Sequence, residues 1–144
     1  MAQPKMIFVN LPVANLPKAK AFYEAIGFRN NPMFTDDTAA CMVLSETIHV
    51  MLLTHDKYRQ FTSKTIADTH KTSAALLAVS ENSRGEVDAT LGKALKAGAK
   101  EPRPSQDYGF MFQRSFEDLD GHTWEVMWMD VDAFMKAREA QSAA

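Results

Sequence analysis

The segment Thr123-Trp124-Glu125-Val126-Met127-Trp128-Met129 sets one carboxylate among apolar side chains, just after the turn-forming run Asp118-Leu119-Asp120-Gly121-His122. A strand here points Trp124, Val126 and Trp128 to one face and Thr123, Glu125, Met127 and Met129 to the other. Glu125 then faces an interior, where an ionised carboxylate is costly unless it is paired, hydrogen-bonded or bound to a metal. His49 is the second group of this kind, set in the apolar run Ile48-His49-Val50-Met51-Leu52-Leu53. An imidazole and a carboxylate together make a general base with its orienting partner, or two ligands of an incomplete metal site. Each has a plainer alternative: a buried pair with Arg114, Arg103 or His49 for Glu125, and a hydrogen-bonded core histidine for His49. Asp118 and Asp120 alternate as in a calcium loop but lack its later carboxylate and ligand spacing, so they read as a turn. His122 directly follows that turn and is expected to cap the strand, whereas His55 and His70 lie in polar stretches and are expected to be solvated.

The elements that must position these groups follow from pattern. Residues 6–13 are β-branched and apolar, a strand signal with Pro12 near its end. Asn15 is a helix cap, Pro17 sits in the first turn, Ala19, Phe22, Tyr23 and Ile26 recur at helical spacing, and Gly27 ends the helix. Strands are expected over residues 33–35, 39–44 and 47–54. The order βαβββ then repeats: a strand over residues 73–79, a cap-rich Ser80-Glu81-Asn82-Ser83, and a helix carrying Val87, Leu91, Ala94 and Leu95 to Gly98. Strands over residues 101–103, 110–116 and 123–129 complete the second set. The two helix-exit glycines lie 98 − 27 = 71 residues apart, close to half the 144-residue chain, which points to duplication. Between the halves, residues 55–71 are polar with Tyr58 and Phe61 embedded, and are expected to form a cavity lid or a dimer contact. A final helix is expected over residues 131–141.

Length and composition narrow the function classes. One domain's worth of chain, 46% hydrophobic and 24% charged, is ordinary for a globular protein and can bury a core. Sixteen basic residues against eighteen acidic give a net charge of −2, with no basic run that would track phosphates, so nucleic acid is not an expected partner. The start reads as strand rather than signal peptide and no apolar stretch is long enough to span a bilayer, so no membrane partner is expected. The single Cys41, in an apolar run, reads as an inert buried thiol and fits a cytoplasmic location.

The opening Phe8-Val9-Asn10-Leu11-Pro12-Val13, with Ala21-Phe22-Tyr23-Glu24-Ala25-Ile26-Gly27-Phe28 and the closing Asp118-Leu119-Asp120-Gly121-His122-Thr123-Trp124-Glu125, resembles the vicinal-oxygen-chelate superfamily. This group includes glyoxalase I enzymes, extradiol dioxygenases and bleomycin- or fosfomycin-resistance proteins. The resemblance runs from Met6 to Asp130 and implies an α+β fold: paired βαβββ modules whose strands form a curved, cup-like mixed sheet around a small ligand. It makes the chain one such domain, with modules over about residues 6–54 and 72–130. In metal-using members, imidazoles and carboxylates from the first and fourth strands of each module chelate a divalent ion. The corresponding positions here are Phe8, Met51, Ala74 and Glu125, of which Glu125 alone can bind a metal. No tightly bound metal is therefore expected, with a divalent cation at an altered site as the alternative.

Alternation supplies the cup lining separately: Phe8 and Asn10, His49, Met51 and Leu53, Leu76 and Ala78, and Thr123, Glu125 and Met127. This mostly apolar surface with Asn10, His49 and Glu125 as polar exceptions suits a small, largely apolar ligand held by a few hydrogen bonds. Glu125 and His49 are the candidate catalytic groups; Phe8, Asn10, Met51, Leu53, Leu76 and Met127 are the candidate binding residues. Two functions fit: a glyoxalase- or dioxygenase-like enzyme acting on a small oxygenated metabolite, and a metal-free protein that binds or sequesters a small molecule. A homodimer is expected, because short curved sheets leave edges that must be paired or covered.

Overall fold

The computed structural model describes residues 2–143, and the chain divides into two compact units. The first runs to Ala74 and includes Leu119–His122; the second comprises Ala75–Asp118 and the chain from Thr123 onward. Among the described residues there are two four-stranded mixed sheets and four α-helices, an α+β fold.

In the first unit, strand β1 (Ile7–Val13) leads into helix α1 (Leu16–Ala25), followed by β2 (Arg29–Asn31), β3 (Ala39–Val43), β4 (Ile48–Thr54) and the single-turn helix α2 (His55–Tyr58). The sheet order is β1-β4-β3-β2, with β1 parallel to β4 and the other pairs antiparallel. Asn15 starts α1 by accepting a hydrogen bond from the Lys18 N–H at 3.1 Å. The buried Ala19, Phe22 and Tyr23 of α1 pack on β3 and β4, with Leu11, Val13, Val50, Leu52 and Met42 completing this core. Residues 33–35 do not extend as the sequence suggests. The strand closes at Asn31, whose Oδ1 accepts from the Met33 N–H at 3.1 Å, and Pro32–Phe34 form a 3-10 turn. A side-chain acceptor at the cap and proline at the first helical position both favour that turn over a strand.

The second unit repeats the plan: β5 (Leu76–Ser80), helix α3 (Arg84–Lys96), β6 (Gln106–Asp107), β7 (Met111–Glu117), β8 (Thr123–Met129) and helix α4 (Val131–Ala143). Its sheet order, β5-β8-β7-β6, and its one parallel pair, β5 with β8, match the first sheet. Ser83 caps α3 through the Glu86 N–H at 3.1 Å, and Glu86 reaches back to the Asn82 N–H at 2.8 Å. Val87, Leu91 and Ala94 are fully buried, and α3 packs on β7 and β8. Here too the sequence misplaces an edge. Residues 101–103 form no strand: Pro102 and Pro104 lack N–H donors, so pairing shrinks to one Lys100–Glu117 bridge and resumes at β6. Ala74 also lies ahead of β5, which begins at Leu76 rather than residue 73.

The duplication is clearest at the helix exits. Gly27 and Gly98 have φ of 110° and 108°. After each, the same pair of bonds closes the helix: Gly27 to Glu24 and Phe28 to Tyr23, Gly98 to Leu95 and Ala99 to Ala94, all at 3.0–3.2 Å. This is the Schellman arrangement, whose positive φ favours glycine. No helix among the described residues is long and apolar enough to cross a membrane.

Candidate functional site

Strand register decides what each predicted site residue meets. In the first sheet Phe8 lies opposite His49, Asn10 opposite Met51, and Met51 opposite Cys41. These side chains, with Leu53, occupy the face turned away from α1. The Phe8 and His49 rings stack with centroids 4.5 Å apart and planes 18° from parallel. The His49 Nδ1 atom is buried and has no hydrogen-bond partner among the described residues, so the satisfied core histidine suggested by the sequence is not what forms. Leu53 is buried, Asn10 is exposed and Phe8 retains 45% exposure. Burial pushes the Cys41 thiol above its ordinary pKa, consistent with an inert residue.

In the second sheet Glu125 lies opposite Ala78 on β5 and Ser115 on β7, and Met127 lies opposite Ser80 and Gln113. Trp124 points to the other face, is 3% exposed and stacks on Phe116 with centroids 6.5 Å apart. The opposed orientation of these adjacent residues is the one expected from alternation. Gln113 Nε2 donates to Glu125 Oε2 at 2.7 Å, a partner the sequence reading missed. Arg114, one of the partners it named, stands on the α3 face instead: Val126 is its register partner, and its guanidinium is held by both Glu101 oxygens at 2.8 and 2.9 Å and by Asp88 at 2.8 Å. Those carboxylates hold the arginine charged and raise its pKa, while Arg114 lowers that of Glu101. Once β7 is in register, Gln113 follows from parity, two residues from Ser115 on the same face.

The turn before β8 has a structural task. Asp120 Oδ1 accepts the Ala14 N–H at 2.8 Å, the Thr69 hydroxyl donates to the Asp120 carbonyl, and His122 Nε2 lies 2.8 Å from the Pro12 carbonyl oxygen. His122 is thus a buried anchor at the end of β1 rather than a simple strand cap. Asp118 and Asp120 belong to a turn, as their spacing indicates.

A family description, Glyoxalase/Bleomycin resistance protein/Dioxygenase superfamily, matches residues 5–126 of the chain. The chain belongs to this superfamily. Solved structures agree in fold. A hypothetical protein from S. aureus superposes with a TM-score of 0.74 at 20% identity, covering 88% of this chain and 95% of that one. A glyoxalase/bleomycin resistance protein/dioxygenase family enzyme from Burkholderia phytofirmans PsJN gives 0.72 at 17% identity, covering 88% and 99%. TioX from Micromonospora sp. ML1 gives 0.65 at 21% identity, also covering 88% and 99%. No curated protein matches the chain.

Membership raises the question of the divalent ion used by some superfamily members. Phe8, Met51 and Glu125 carry a phenyl ring, a thioether and one carboxylate, while Ala74 lies ahead of β5 and the strand position equivalent to Phe8 is held by Leu76, which also has no donor atom. Ala78 and Ser115, flanking Glu125 in its sheet, add no imidazole or carboxylate, and Gln113 already engages one Glu125 oxygen. This donor set does not fit a chelated divalent cation, for which three or four protein ligands are usual.

Proposed function

We propose that this superfamily member binds a small, largely apolar molecule bearing hydroxyl or N–H groups, with Glu125 as the polar anchor. The observation that carries the reading is the Glu125–Gln113 hydrogen bond on an otherwise mostly apolar strand face. An ionised carboxylate only accepts, and Gln113 occupies Oε2, while Oε1 has no partner among the described residues. The complement to such a group is a ligand donor. Leu76, Met127 and Met129 on the same face supply apolar contact, and the methionines can repack around differing shapes. Cytoplasmic function and a homodimer belong to this proposal. The homodimer is supported by two sheet-edge strands, β1 and β5, that expose Ile7 and Leu76.

A second reading, an enzyme of lyase or dioxygenase type, is supported by the buried His49 Nδ1, which has no hydrogen-bond partner among the described residues. The two readings separate on turnover.

Paired probes test the anchor. Catechol should raise the melting temperature and 1,2-dimethoxybenzene, which has no donor, should not; Glu125→Gln should reduce the catechol response while leaving the fold intact. Equal responses to both probes, or an unchanged response in Glu125→Gln, would count against the proposal. Conversion of catechol would move the assignment to the enzyme.

A further inference from the structure

The polar segment after β4 lines a half-open pocket of about 640 Å³ within the first unit, a size ordinary for small-molecule sites. It shares none of the second sheet's residues. We infer that this cavity is a distinct binding site for a small organic oxyanion, a phosphate or carboxylate carried on a short apolar body.

Its cationic wall comes from Arg59 and Lys64, with His55 and His70 also lining it. Only Arg59 among these four side chains has a hydrogen bond, to Asp56 Oδ1 at 2.9 Å. That pair is exposed, with 58% and 97% of the two side chains accessible, and such surface pairs hold weakly enough for a ligand to compete. Ser63 and Thr65 flank Lys64 in the lining, and their hydroxyls have no partner among the described residues. A guanidinium, an ammonium and free hydroxyls together match an oxyanion's several lone pairs.

Two carboxylates also line the cavity, Asp68 and Asp120, and they are the main argument against an anion. Both are committed locally: Asp68 Oδ1 accepts the His70 N–H at 3.1 Å, and Asp120 Oδ1 accepts the Ala14 N–H at 2.8 Å. Those bonds leave both negative charges in place, so the headgroup must be held by Arg59 and Lys64 against them, which is why the salt and variant tests below decide the inference. The remaining wall, Pro12, Ile66 and Ala67, is apolar. A cavity of this volume has room for more than an inorganic ion, so the oxyanion is carried on an organic body that meets that wall.

Nuclear magnetic resonance titration at low salt supplies the test, with phenyl phosphate and benzoate as anionic probes and benzyl alcohol as the neutral control. At least one anion should shift the amide resonances of Thr62, Ser63 and Thr65, and the tighter of the two identifies the headgroup. Arg59→Ala and Lys64→Ala should each weaken that anion about tenfold, while leaving the catechol response unchanged. Added sodium chloride should weaken binding to the wild-type protein, a readout that stands even where a variant unfolds. The inference is overturned when neither anion shifts these amides, when benzyl alcohol binds equally well, or when binding is indifferent to salt. None of these outcomes depends on whether Glu125 binds a ligand.

Discussion

Glu125 is hydrogen-bonded to Gln113, and among the described residues no group of three His, Cys, Asp or Glu side chains is placed to hold a metal, so its affinity for cations should be that of an isolated carboxylate. Calorimetric titration with Zn²⁺ and Ni²⁺ is expected to show no sub-micromolar site and the protein to lack glyoxalase I activity. Sub-micromolar binding abolished in Glu125→Gln would show that other groups complete a metal site and would sink this expectation. A different carboxylate carries the clearest pH signature. Arg84 grips Asp107 through two bonds of 2.8 and 3.0 Å and the Gly109 N–H adds a third at 2.9 Å, which together hold the Asp107 carboxyl at a pKa of about 2 against an ordinary 3.8. A lowered folded-state pKa means stability that is present above the unfolded value and lost as pH falls through the folded one. The stability gap between wild type and Asp107→Asn should therefore be full above pH 4 and close between about pH 4 and pH 2. A gap independent of pH in urea titrations would show that the ion pair contributes nothing.

At the scale of elements, backbone geometry separates two kinds of glycine. Gly27 ends α1 with positive φ, but a Cβ there would meet nothing within 4 Å. Gly121, at φ 85°, would place a Cβ 2.6 Å from the Thr69 carbonyl oxygen and 2.8 Å from the His70 nitrogen. Neither backbone atom can swing aside as a flexible side chain would. Gly27→Ala should cost about 1 kcal/mol, the conformational penalty alone, and Gly121→Ala about 2–4 kcal/mol because steric overlap adds to it. Urea unfolding compares the two, and equal losses would mean that the turn yields without strain. The same turn fixes Asp120 and the Thr69 end of the cavity segment, so Gly121→Ala should also perturb that segment's amide resonances.

For the whole molecule, β1 and β5 end their sheets and carry the exposed Ile7 and Leu76, which motivates the proposed homodimer, and light scattering at micromolar concentration should return twice the 16.1 kDa chain mass. A monomer would remove the dimer from the proposal. Much of this architecture is legible in the residues alone. Period-two alternation places Trp124 and Glu125 on opposite faces, caps and glycines mark where α1 and α3 begin and end, and the repeated order gives two like modules, because each signal is local. The misplaced strands at residues 33–35 and 101–103 lie where prolines and side-chain caps compete with strand pairing. Tertiary structure alone supplies Gln113 as the partner of Glu125, sends Arg114 to Glu101 and Asp88, and brings Pro12, Ala14 and Asp120 to the pocket lined by the segment that the sequence marked as a lid or a dimer contact. Those contacts join residues 12 or more positions apart, and 51 apart in the bond that ties Thr69 to Asp120. They depend on strand register and turn anchoring, which arise from the packing of complete elements and leave no mark in the spacing of any single segment.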